Sequence, residues 1–351
     1  MEVRAGMKFG LHLTENAPLI ESIAPRAALP GGEIELFGQH LAAGGFQLPT
    51  ATIGEHRAPV TMSRPTRVWL HVEDGTISGN VQLRTDGHSS NAVPLAVGVR
   101  IAENMHPVAN PAADADGNVY VTFSGQRGQQ SPVSVFRIDP EYQIRSFATG
   151  ILNATAVALD PEGNLYVSSR HLGTVFRITP NGAKSVFAEG MGIATGLAFD
   201  RAGYLYVGDR SGTIFKIAPD RQVFVFATLE PSVAAYHLAF TDAGTLLVSG
   251  PTTSANESIY AIEPDGSITT FHKGLGRPQG IAVDTAGNVY VAASLRGRRG
   301  IVRIAPDKQA SLILSGSGIV GLAFLPEGDA VLATSDAIYH VGLGSIGRLL
   351  R

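Results

Sequence analysis

Six times between Asp114 and the C-terminus the chain repeats one pattern: an apolar run ends on Asp or a substitute, a Gly follows three residues later, and a β-rich run comes next. The glycines are Gly117, Gly163, Gly203, Gly244, Gly287 and Gly328, spaced 40 to 46 residues apart. A period near 40 with strand-like content is the mark of four-stranded sheets repeated around an axis. The expected fold class is therefore all-β, with a six-bladed β-propeller over residues 105–351.

Each repeat resolves into four strands. In repeat five they begin at Gly280, Asn288, Gly300 and Ser311, from the axis outward. The third strand recurs as Val135-Phe-Arg-Ile138, Val175-Phe-Arg-Ile178 and Ile214-Phe-Lys-Ile217, with Pro two residues later ending the ladder. The Asp-x-x-Gly-Asn turn before the second strand needs positive φ, which Gly supplies, and its Asp can bond backbone donors. Each such turn offers too few oxygens for Ca²⁺, so the Asp is read as structural. Repeats four and six carry Thr241 and Leu325 in its place. The last repeat is expected to have its own fourth strand in residues 346–350, so that the termini share no blade. Residues 7–13, in a 1–17 extension, have strand character that could brace the seam.

Ahead of the repeats, residues 18–98 show period-two alternation, as in Glu33-Ile-Glu-Leu-Phe37, Val68-Trp-Leu-His-Val72 and Asn80-Val-Gln-Leu-Arg84. The stretches at Pro18–Pro25, Gly31–Gly38 and Ser90-Asn91 resemble the IPT/TIG family of immunoglobulin-like domains. That resemblance implies a β-sandwich acting as spacer or interaction module, joined to the propeller by a linker at 99–104. The sole Trp, Trp69, is expected in the core.

Composition removes several chemistries. With no cysteine there is no disulfide, thiolate metal site or Cys nucleophile. A net charge of −3 gives no global field for nucleic acid or an anionic membrane. No apolar stretch is long enough to span a bilayer and no secretory leader is visible. The expectation is a cytoplasmic protein, or an extracytoplasmic one if a leader has been trimmed.

Antiparallel order brings the inner-strand starts and the loops between second and third strands to one rim. The inner-strand starts contribute His106, Asn153, Thr195, His237, Gln279 and Val320. The loops contribute Arg127, Arg170, His171, Arg210, Arg296, Arg298 and Arg299, opposed only by Asp209, Glu257 and Asp336. Arginine's planar fork suits carboxylate and phosphate, so this rim is the candidate binding face for an anionic small molecule, a glycan or an acidic protein surface. The same loops lack aromatic side chains on which bases could stack, which argues against nucleic acid. His106 and His237, in blades one and four, are weak catalytic candidates that could face each other across the axis.

The phrase Pro278-Gln-Gly-Ile-Ala-Val-Asp284 with Gly287-Asn-Val-Tyr-Val291 resembles NHL repeats and, equally, the gluconolactonase-like superfamily. The second resemblance implies a metal-dependent hydrolase or lyase at the channel mouth, holding Ca²⁺ or Zn²⁺ on a Glu, an Asn and an Asp. Here Met105-His106 (with Glu103 upstream), Thr195-Gly196 and Gln279-Gly280 stand where those ligands are expected, and Asn153 alone could survive from the set. The first reading is accordingly a non-catalytic binding protein without cofactor, and the lactonase-like enzyme is the alternative.

Overall fold

The structure is a computed structural model that describes residues 17–45, 47–126, 128–253 and 257–343; among these, every regular element is a strand. Five four-stranded sheets, and four strands of a larger sheet (Ile281–Val283, Val289–Leu295, Arg298–Ile304 and Ala310–Ser315), form the six blades of the C-terminal part. Blade two shows the plan: Ala154–Leu159, Leu165–Ser169, Thr174–Ile178 and Lys184–Ala188 pair antiparallel from the axis outward. Inner strands of successive blades touch, and Ala112–Ala113 of blade one contacts both Ala154–Leu159 and Ile319–Phe324, so the ring is closed. The chain forms a six-bladed β-propeller.

The repeated Asp is a structural fastener. Asp160 Oδ1 accepts the Asn164 N–H at 2.8 Å, and Oδ2 accepts from Asn164 Nδ2 at 2.8 Å and from the Tyr166 hydroxyl at 3.2 Å. Asp114–Tyr120, Asp200–Tyr206 and Asp284–Tyr290 repeat the hydroxyl–carboxylate bond at 3.1, 3.3 and 3.0 Å. Each Tyr also reaches its neighbours. The Tyr166 ring meets Phe187 of its own outer strand edge-on at 4.9 Å and Phe199 of blade three at 4.8 Å. Burial, and then the nearby Asp160 charge, pushes the Tyr166 hydroxyl up to about 12, so it stays a donor. Blades four and six lack the Asp and lack the Tyr too, with Leu247 and Val331 in the equivalent register. The two residues are present or absent together, as expected if the buried hydroxyl depends on the carboxylate for its acceptor.

Ring closure departs from expectation. Val99–Glu103 pairs antiparallel with Ala337–Gly342 and is the outer strand of blade six. The segment expected as a linker therefore completes the last blade, and the two ends of the propeller do share it. Ala102 is buried against Val331 and Ile338, which is what draws this strand in. Across the same seam the Tyr142 hydroxyl lies 2.7 Å from His340 Nδ1. Residues 7–13 and 346–350, assigned strand roles above, lie outside the described residues.

The N-terminal part is two packed sheets. Leu19–Ala24, Glu33–Gln39, Arg67–His71 and Val60–Arg64 form one; Val93–Val97, Gly79–Thr85, Thr50–Ile53 and His56–Ala58 form the other. Ile34, Leu36 and Leu70 from the first meet Ile53, Val81 and Leu83 from the second in one core. Trp69 is not in it: it alternates with buried Val68 and Leu70 and lies half-buried on the outer face. Ala27–Ala28 pairs in parallel with Val93–Val97 on one side and with Ala310–Ser315, the outer strand of blade five, on the other. The second sheet and blade five are thus one continuous sheet. The Leu29 N–H bonds Ser315 O at 2.8 Å, and the Glu33 N–H bonds Ser315 Oγ at 2.9 Å.

Candidate functional site

The loops between second and third strands share one rim, as the repeat order requires, but their side chains divide into two groups. The first group holds the loops themselves. Asn153 is 2% exposed, in a left-handed backbone conformation. Its Nδ2 donates to Ser124 O and Gln126 O at 2.7 and 2.8 Å, and its Oδ1 accepts from the Gly128 N–H at 2.8 Å. Thr195 is buried, donating to Gly208 O at 2.7 Å and accepting the Tyr236 N–H at 3.1 Å. Asp209 accepts from the N–H groups of Ile193 and Ser211 and from the Ser211 hydroxyl. Glu257 accepts the Thr252 N–H at 2.8 Å, and burial raises its pKa. Gln279 is half-buried, with its backbone N–H on Ala292 O and its carbonyl on Ser249 Oγ.

The second group faces outward. Arg210, Arg296 and His171 are exposed, and Arg296 has a left-handed φ of 51°. Arg210 Nε donates to Ser232 O at 3.2 Å, which leaves the rest of its guanidinium at the surface. Arg170 is half-buried, with Nη2 at 3.5 Å from Gly125 O. Arg298 is drawn to the N-terminal unit, where it meets Glu35 at 3.5 Å and the Ala24 and Glu33 carbonyls at 3.2 Å. Arg127 lies outside the described residues. Arg277, exposed two residues before Gln279, joins this rim; it precedes the inner strand rather than following the second one, so the loop pattern did not point to it.

The two candidate histidines are not equivalent. His106 does not open an inner strand: blade one's begins at Ala112, and His106 is exposed, edge-on to Phe123 at 5.5 Å. His237 does begin the inner strand of blade four, 2% exposed. The residue that matches it in blade one, two before the inner-strand alanine, is Asn110. The lactonase-type ligand positions do not fit a metal. Thr195 and Asn153 have their polar atoms bonded to backbone, and among the described residues no three His, Asp or Glu side chains converge.

A cavity of about 1280 Å³ opens at the other end of the axis, among the Asp–Gly turns. Its wall includes a ring of one alanine per blade: Ala112, Ala158, Ala198, Ala239, Ala282 and Ala323. It narrows where glycines let inner strands touch. A Cβ at Gly280 would stand 2.4 Å from Gly321 Cα and 2.3 Å from Asn110 Oδ1. The Asn110 side chain closes that level by donating to Ile281 O at 2.9 Å and accepting the Leu322 N–H at 3.1 Å.

Solved structures with this architecture are numerous. A putative gluconolactonase matches with a TM-score of 0.59 and 18% identity over 72% of this chain and 93% of its own. A protein of unknown function from Bacteroides thetaiotaomicron matches with a TM-score of 0.56 and 13% identity over 94% and 98%. An auxiliary nutrient binding protein from the same organism matches with a TM-score of 0.55 and 11% identity over 93% and 98%. At such identities the likeness is one of fold alone. No protein-family model and no curated protein matches the chain. No helix among the described residues is long and apolar enough to cross a membrane.

Proposed function

We propose that the chain is a non-catalytic binding protein whose arginine-bearing rim recognises an anionic ligand: an acidic small molecule, a glycan or an acidic protein surface. The observation that carries this reading is the division of charge within the rim. Asp209 and Glu257 turn inward onto backbone N–H groups, whereas Arg210, Arg296, Arg299 and His171 remain exposed, faced by Asp336 as the outward carboxylate of these loops among the described residues. Those carboxylates are committed to protein donors, whereas the guanidinium groups that face solvent are open to an incoming anion. The N-terminal unit, which we read as an IPT/TIG-like immunoglobulin fold, serves as a brace held by Arg298. A nutrient-binding role, as borne in name by one matched structure, suits a propeller of this kind.

The test is retention on heparin resin. Arg210→Glu with Arg296→Glu is expected to lower the eluting salt concentration severalfold, since each reversed charge removes an ion-release contribution. Elution unchanged from the parent protein would refute the basic rim as the recognition face. Arg298 is left intact because it anchors the N-terminal unit.

A further inference from the structure

The axial cavity sits at the end opposite the basic rim, and one residue that lines it carries an unpaired ring nitrogen. Two residues before each alanine of the ring stand Asn110, Ala156, Gly196, His237, Gly280 and Gly321. Four of these positions are Ala or Gly, and Asn110 is fully bonded. His237 lines the cavity at this level, is 2% exposed, and its Nε2 has no hydrogen-bond partner. Leaving a buried polar group unpaired costs about 1–3 kcal/mol. The fold itself is content with a methyl group or a hydrogen there, so packing does not explain the imidazole.

The mouth has a definite charge. Asp114, Asp116, Asp160, Glu162, Asp200 and Asp242 border it, against Arg137 and Arg201. Arg201 is paired with Asp242, and Arg137 Nε donates to Asn118 Oδ1 at 3.1 Å. Anions are therefore repelled at this end of the axis. The wall beneath carries the six alanine methyls beside Leu197, Leu238 and Ile281.

We propose that this cavity is a second binding site, for a small amphipathic molecule that is uncharged or cationic and whose polar tip hydrogen-bonds to His237. Its apolar body fills the alanine throat, and any positive group stays among the mouth carboxylates. Burial holds the imidazole neutral, lowering its pKa to about 3, so it meets the ligand as a neutral donor–acceptor.

The probes are 1-naphthylmethanol, 1-naphthylmethylammonium and 1-naphthoate, added to the full chain with ¹³C-labelled histidine. The His237 signal is assigned by its loss in His237→Gln. Saturable displacement of that signal by the alcohol and the ammonium compound is expected, with naphthoate at least about tenfold weaker. His237→Ala should weaken the alcohol about tenfold, and His237→Gln, which keeps a donor and an acceptor, less. Ala198→Leu, which narrows the throat, should block all three probes. Retention of the His237 variants on heparin is expected to match the parent protein, because the two sites lie at opposite ends. No shift of the His237 signal at millimolar probe, equal binding by naphthoate, or affinity indifferent to His237→Ala would each overturn the proposal.

Discussion

At the scale of single residues, the Asp–Tyr fastener and His237 make opposite demands on the fold. In the fastener every polar atom is answered. Tyr166→Phe removes one hydroxyl and should cost about 1 kcal/mol, whereas Asp160→Ala strands two amide donors and a hydroxyl and should cost about 2–3 kcal/mol. Denaturant midpoints of the two variants and of the double variant would show coupling between them, and strict additivity would show that the pair is not a unit. His237 is a cost the native state carries. Its folded pKa of about 3 lies below the unfolded value near 6.5, so the unfolded chain takes up a proton that the native chain refuses. Stability from this group is whole above about pH 6.5 and is lost on acidification toward pH 3, by up to about 1.4 kcal/mol per pH unit. Melting temperature plotted against pH should fall less steeply in His237→Gln. Parallel curves for the two proteins would mean that His237 is not buried as a neutral ring.

At the scale of elements, the strands follow from local signals and the ring from distant ones. Gly117 and Gly163 have φ of 81° and 78°, which is why the turn pattern is so plain in the sequence. The closing strand had no such mark. Val99-Arg-Ile-Ala-Glu103 is short and mixed, and its partner Ala337–Gly342 is nearly a propeller away along the chain, so nothing local announces the pairing. The candidate site was legible to the same degree. Charge on the loops could be read directly, but whether Asn153 or Arg298 faces a ligand or the protein depends on loop paths that no local rule determines. The joint absence of Asp and Tyr in blades four and six was present in the sequence and shows that a repeat's departures are informative as well as its matches. Ala102→Asp would put a carboxylate between Val331 and Ile338, and a loss of about 3 kcal/mol in urea unfolding is expected. A neutral result would mean that closure does not depend on this strand.

At the scale of the whole molecule, one sheet runs from blade five through Ala27–Ala28 into the N-terminal unit, so the two parts are joined by ladder bonds rather than by a hinge. Scanning calorimetry should therefore show a single heat-absorption peak for the intact chain. Leu29→Pro removes the N–H that bonds Ser315 O and should resolve two peaks. Two peaks in the unmodified protein would show that the bridge does not couple the units. The propeller is also polarised along its axis, with exposed arginines at one mouth and carboxylates at the other. Two ligands of opposite character could then occupy it without competing.

The ownership of blade six has a consequence for biosynthesis. Val99–Glu103 emerges from the ribosome ahead of the other propeller strands, yet the edge it must dock onto is translated only after five blades have been made. Throughout elongation the nascent propeller is an open arc with an unsatisfied flank at each extremity. Uncovered blade faces and the partnerless strand Val99–Glu103 are both liabilities for association between neighbouring chains on a polysome. Slow translation or crowded polysomes would thus expose this protein to misassembly during a window that ends only when the arc snaps shut.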